Sequence, residues 1–242
     1  MSLPARLINV FLAPGEVFDA IRSSPPSAAN WLVPALLLIV VSWVGVGIVF
    51  SQESIRQQAI EVAERNLSTL KPEQVEQARP MIEKMAVLGP ASGFAVLPLF
   101  DGFIGTFFWG LVLWGFGAKA FKGGFTYMKA VEAAGLANMV LVLDAIVRTL
   151  LALARNNAYA SPSLMLLVKD FDPQNATQGL LALANLMIFW LLVTRSVGFA
   201  RLARVSLVKA AACVFGVWIT YTGFFVALGF AAKALFSHLG QR

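Results

Sequence analysis

From Trp31 to Phe50 the chain runs without a charged side chain, and four further apolar blocks of similar length follow it. A helix of about 20 residues matches the hydrocarbon thickness of a bilayer. Within hydrocarbon every backbone N–H and C=O must find a partner inside the protein, which leaves only helices and closed barrels. Uninterrupted apolar blocks of this length read as membrane-spanning helices. The chain is therefore read as all-α: a polytopic integral membrane protein with five transmembrane helices. Its composition agrees, being 58% hydrophobic and 13% charged, whereas a soluble domain carries about 25% charged residues.

The second block runs from about Gly89 to Ala118 and holds a single charge, Asp101. It is too long to cross upright and contains Pro90, Pro98 and a series of glycines, so tilt or a kink is expected. The third runs from about Ala130 to Ala154 and carries Asp144 and Arg148. The fourth lies between Asp172 and Arg195, which bracket 22 uncharged residues, and the fifth between Lys209 and Lys233, which bracket 23. The first strong block opens only at Trp31, late for a signal peptide, so no cleaved leader is expected.

The polar parts fall into three groups. Residues 1–29 form an amphipathic N-terminal segment, broken at Pro14-Gly15, in which Leu7, Val10 and Phe11, then Val17, Phe18 and Ile21, recur at helical spacing. Such a segment lies in the headgroup plane ahead of the five-span domain, 30–242. Residues 51–87 hold two helical patterns separated at Lys71-Pro72, with five basic and six acidic side chains up to Ala86, and read as an extramembrane helical hairpin. The short loops between spans are basic: Lys119, Lys122 and Lys129 after the second, and Arg195, Arg201, Arg204 and Lys209 after the fourth. By the positive-inside rule these loops and the N-terminus face the cytoplasm, and the hairpin and C-terminus lie outside. In a bacterium that membrane is the inner one. Loop three–four carries only Arg155 and Lys169 against Asp170 and Asp172, while C-terminal Lys233 and Arg242 oppose the assignment mildly. The two basic turns resemble each other, Gly117 with Lys119, Lys122 and Lys129-Ala130 against Gly198 with Arg201, Arg204 and Lys209-Ala210. A diverged parallel repeat and coincidence both account for that.

Little in the chain points to catalysis. His238 is the sole histidine, and there is no HExxH pattern, no phosphate-binding GxxxxGK loop and no serine beside a base. No enzyme activity, cofactor or metal is expected. Cys213 is the sole cysteine, and the basic residues sit beside apolar blocks, which favours lipid headgroups over nucleic acid. What remains is the acid and base inside the third block. An unpaired charge at mid-membrane costs about 3 kcal/mol, but Asp144 and Arg148 stand four residues apart on one helix face and neutralise each other. Asp144 lies about 18 Å along its helix from Glu132 at ~1.5 Å per residue, and Asp101 enters from the other side, so Arg148 has both acids within reach. Asp101, Asp144 and Arg148 form either a buried network that fixes helix register or a relay or polar pocket. Glu132 is expected at the inner interface, solvated, and Arg195 is expected to snorkel. Lys119, Lys122, Lys129, Arg201, Arg204 and Lys209 are candidates for contact with lipid headgroups or a partner.

Three stretches carry a resemblance: "FLAPGEVFDAI" at 11–21, "LWGFGAKAFKGGFTYMKAVEAAGLANM" at 113–139, and "NLMIFWLLVTRSVGFARLARVSLVKAAACVFGVW" at 185–218. With five spans behind an amphipathic N-terminus, they resemble the Yip domain family, the Ypt/Rab-interacting membrane proteins, in its bacterial branch. The resemblance implies a five-span all-α bundle. It implies a role in vesicle traffic for eukaryotic members and no settled activity for bacterial ones. The expected function is a non-enzymatic adaptor or membrane organiser that binds lipids, a membrane-protein partner or further copies of itself. The alternative is a transporter, or a membrane subunit of one, using Asp101, Asp144 and Arg148.

Overall fold

The computed structural model describes residues 1–66, 72–168 and 175–239. The hairpin turn before Pro72, the stretch with Lys169, Asp170 and Asp172, and Arg242 lie outside the described residues. Every regular element described is helical, and five helical stretches are long and apolar enough to cross a membrane: Ala29–Phe50, Ala91–Ala120, Tyr127–Arg155, Leu186–Ala203 and Leu207–Ala231.

Two short helices come first, α1 (Leu3–Leu12) and α2 (Pro14–Ser23), with Pro14 at the first position of α2, where its missing N–H leaves no gap. Their apolar faces meet protein: Val10, Val17, Phe18 and Ile21 are fully buried against the bundle, while Ile8 and Leu12 stay exposed on the far side. The first span is α3 (Ala29–Phe50). The polar region gives α4 (Glu53–Asn66), and α5 (Pro72–Leu99) continues without a break from that region into the second span. The irregularity expected there takes the form of two π-helical turns, Phe100–Gly105 and Gly115–Ala120, on either side of α6 (Thr106–Trp114).

The third span is two helices, α7 (Tyr127–Ala137) and α8 (Met139–Arg155), that meet at Asn138. A backbone this close to its neighbour needs glycine: a Cβ at Gly135 would lie 2.3 Å from Trp31 Cβ, so α3 and α7 touch there almost backbone to backbone. The fourth span departs from expectation. A short α9 (Ala176–Leu183) ends before Asn185, whose Oδ1 accepts from the N–H groups of Met187 and Ile188 at 2.8 and 3.2 Å and opens α10 (Leu186–Ala203). The span is therefore shifted toward its C-terminus, and Arg195 lies inside it instead of marking its end. The fifth is α11 (Leu207–Leu239), which packs chiefly on α10.

The two basic turns and the N-terminal helices share one end of the bundle. Phe121 stacks near Phe199, and Gly123 packs against Ala203. At the other end, the start of α4 meets the chain that follows α8 through the Ser54–Asn156 hydrogen bond.

Candidate functional site

A cleft of about 430 Å³ opens between α3, α5 and α8, with Asp101, Asp144 and Arg148 on its walls among mostly apolar side chains. The first π turn places Asp101 on one side, exposed to the cleft. On the other side Arg148 Nε donates to Asp144 Oδ2 at 2.7 Å, the i,i+4 pair anticipated from spacing. The partners differ in exposure: the Arg148 side chain is 43% accessible and that of Asp144 8%. Asp144 Oδ1 is buried with no hydrogen-bond partner among the described residues, so the pair is only half satisfied. Arg148 makes no ion pair with Asp101 among the described residues, and the structure brings together two of the three expected members, with Asp101 facing them. Tyr159 lines the same cleft outside the spans, where burial pushes its phenol above the usual range.

Two polar clusters that spacing did not anticipate hold the spans to one another. In the first, Asn138 Nδ2 donates to Thr106 Oγ1 at 2.8 Å and to the Asp101 carbonyl at 3.3 Å. Its Oδ1 accepts from Arg195 Nη2 at 2.9 Å, and the Arg195 guanidinium lies 4.4 Å from the Trp109 ring centroid. Arg195 is thus buried against an amide and an indole and does not snorkel. In the second, Glu132 accepts from Lys129 Nζ, from Asn30 Nδ2 at 2.6 Å and from the Ser27 N–H at 3.1 Å, while Arg6 Nη1 donates to Asn30 Oδ1 at 3.2 Å. Glu132 is fully buried, not solvated, because the chain leading from α2 into α3 folds across it. Lys129, placed by spacing among the headgroup-facing cations, is spent internally on that carboxylate and is likewise buried. A polar residue in the middle of an apolar run, such as Asn138, was the available signal for the first cluster. The second had none, since its donors come from the N-terminal connection.

The other five basic candidates are exposed. Lys119 lies 4.9 Å from the Trp114 ring centroid, Lys122 and Arg204 adopt left-handed backbone angles with φ of 55° and 56°, and Arg201 pairs with Asp19 at 3.1 Å. Lys209 sits in the first turn of α11.

Among the described residues no group of His, Cys, Asp and Glu side chains could hold a metal ion. No curated protein and no solved structure matches the chain significantly. The family model described as the Yip1 domain matches residues 8–231, nearly the whole of a chain whose five apolar helices make it an integral membrane protein; the chain belongs to the Yip1 domain family.

Proposed function

We propose that the protein is a non-enzymatic membrane adaptor or organiser that binds lipids or other membrane proteins at the end of the bundle where its basic turns gather. The observation that carries this reading is the division of its charges. Inside the bundle Glu132 pairs with Lys129, Asp144 with Arg148, and Arg195 rests on Asn138 and Trp109, leaving Asp101 on the cleft wall, whereas Lys119, Lys122, Arg201, Arg204 and Lys209 stand exposed at the helix ends. Exposed cations beside membrane-spanning helices attract anionic headgroups by about 1 kcal/mol each. Membership of a family linked to membrane trafficking supports a binding role over a catalytic one. On this reading the basic turns and the N-terminus are cytoplasmic, and the helices from Glu53 onward form an external hairpin.

Photo-crosslinking side chains placed at Lys122 and Lys209 in native membranes test it, with Ile219 on the exposed face of α11 as the lipid-facing control. Discrete lipid or protein adducts at the basic positions, absent at 219, are expected. The same unselective pattern at all three positions would sink the reading. One observation favours the transport alternative, the cleft with its unpartnered Asp144 oxygen, and ion flux through the purified protein in liposomes decides it.

A further inference from the structure

Where α2 meets the turn between α10 and α11, three arginines, one from α2 and two from the end of α10, line one pocket of about 410 Å³. Arg22 comes from the last turn of α2, Arg201 from the last turn of α10, and Arg204 from the turn itself. Val197, Val205 and Leu207 supply an aliphatic wall. Arg22 Nη1 donates to the Arg201 carbonyl at 2.8 Å and lies 3.5 Å from Asp19 Oδ1, while Arg201 Nη1 donates to Asp19 Oδ2 at 3.1 Å. Asp19 is the one acid these arginines pair with among the described residues, so an excess of positive charge remains around the pocket.

One further detail points to a ligand. The Arg204 side chain makes no hydrogen bond or ion pair among the described residues, although Arg204 lines a pocket to which two other arginines contribute. Its backbone is left-handed at φ 56°, a conformation that glycine or asparagine fills with less strain. The negative end of α10 and the positive end of α11 meet here and largely offset each other. In the first turn of α11, Ser206 Oγ accepts from the Lys209 N–H at 3.4 Å, and the preceding N–H groups have no acceptor within the helix.

We propose that this pocket binds the phosphate of an anionic phospholipid. Arg22, Arg201 and Arg204 are its donors, and Val205 and Leu207 lie against the glycerol and upper acyl chain. The fork of a guanidinium matches phosphate oxygens, and Leu207 and Val208 are 51% and 79% exposed, which continues the apolar wall outward from the pocket. The occupant ties α2 to α10, so lipid composition governs how firmly the N-terminal helices dock. The proposal rests on the reading that this basic end meets headgroups, and it adds Arg22 and a defined seat.

Native mass spectrometry of the purified full chain, titrated with phosphatidylglycerol or phosphatidylcholine and with inorganic phosphate as competitor, tests it. Phosphatidylglycerol should bind about tenfold more tightly than phosphatidylcholine, and Arg204→Gln and Arg204→Gly should each lose most of that preference. Arg204→Gly also relieves the backbone strain, so loss of binding in it cannot be laid to misfolding. Arg22→Gln should behave alike, and the pair Lys119→Gln/Lys122→Gln should lose a smaller part of the preference than either arginine change. If the preference survives the Arg22 and Arg204 changes but vanishes in the lysine pair, the pocket is wrong and the headgroup reading stands. If the native chain shows no preference, both fall. Displacement of the lipid by inorganic phosphate at equal concentration would mean that the site serves the free anion, and the lipid proposal would fail.

Discussion

Glu132 is held by four groups, of which helical spacing places only the first: Lys129 one turn earlier, Asn30, the Ser27 N–H and, through Asn30, Arg6. An ion in such a place is held by its partners and not by solvent, so removing one partner is worse than removing both. Lys129→Met should therefore destabilise the protein by about 3–5 kcal/mol, and Lys129→Met with Glu132→Gln by less, as thermal melts in detergent would report. Equal losses would show that Glu132 gains nothing from Lys129. The Asp144–Arg148 pair follows the same rule at smaller scale, because Arg148 is 43% accessible. Arg148→Leu should cost more than Arg148→Leu with Asp144→Asn, and both should cost less than the Lys129 change. This pair was legible from its i,i+4 spacing. The partners of Glu132, Arg195 and Lys129 were not, since a charge near the end of an apolar run looks the same whether water or another helix receives it.

At the scale of elements, apolar runs as long as a bilayer is thick located all five spans, because an uninterrupted apolar run of about 20 residues satisfies its backbone in hydrocarbon as a helix. Span ends were read from charges, and that failed at Arg195, where Asn138 and Trp109 replace solvent and the helix continues to Ala203. The amphipathic pattern of the first two helices was also visible, but not what their apolar faces would meet. A hydrophobic stripe fits lipid and protein equally well until a partner surface is known. Gly198 supplies it: a Cβ there would stand 3.1 Å from Phe18 Cζ, so the ring of Phe18 sits directly on the α10 backbone. Removing a buried phenyl costs about 3–5 kcal/mol. Phe18→Ala should therefore loosen α1 and α2 and speed proteolysis at the 24–28 connection, whereas Leu12→Ala, at a residue 81% exposed, should leave it unchanged. Equal rates in the two variants would mean that α2 is not held by this contact.

For the molecule as a whole, sidedness and transport are linked questions. If the basic turns are cytoplasmic, the cleft mouth near Phe50 and Tyr159 faces outward. Cysteine placed at Lys122 in a Cys213→Ala background should then resist impermeant reagents in intact cells, and labelling from outside would invert the topology. Transport would require the cleft to continue past Asp101 and Asp144 to the other side. Beyond them lie Asn138, hydrogen-bonded to Thr106 and Arg195, and the Gly135–Trp31 contact, where α3 and α7 leave no room even for a methyl group. A solute would have to break those buried polar contacts and push apart a pair of touching helix backbones. On the proposed reading the cleft ends there as a pocket, with Asp144 as one of its wall groups. Purified protein in liposomes should show no proton or ion flux above that of empty vesicles. Asp144→Asn should leave that baseline where it is, and flux that disappears in Asp144→Asn while the melting temperature holds would establish the transporter.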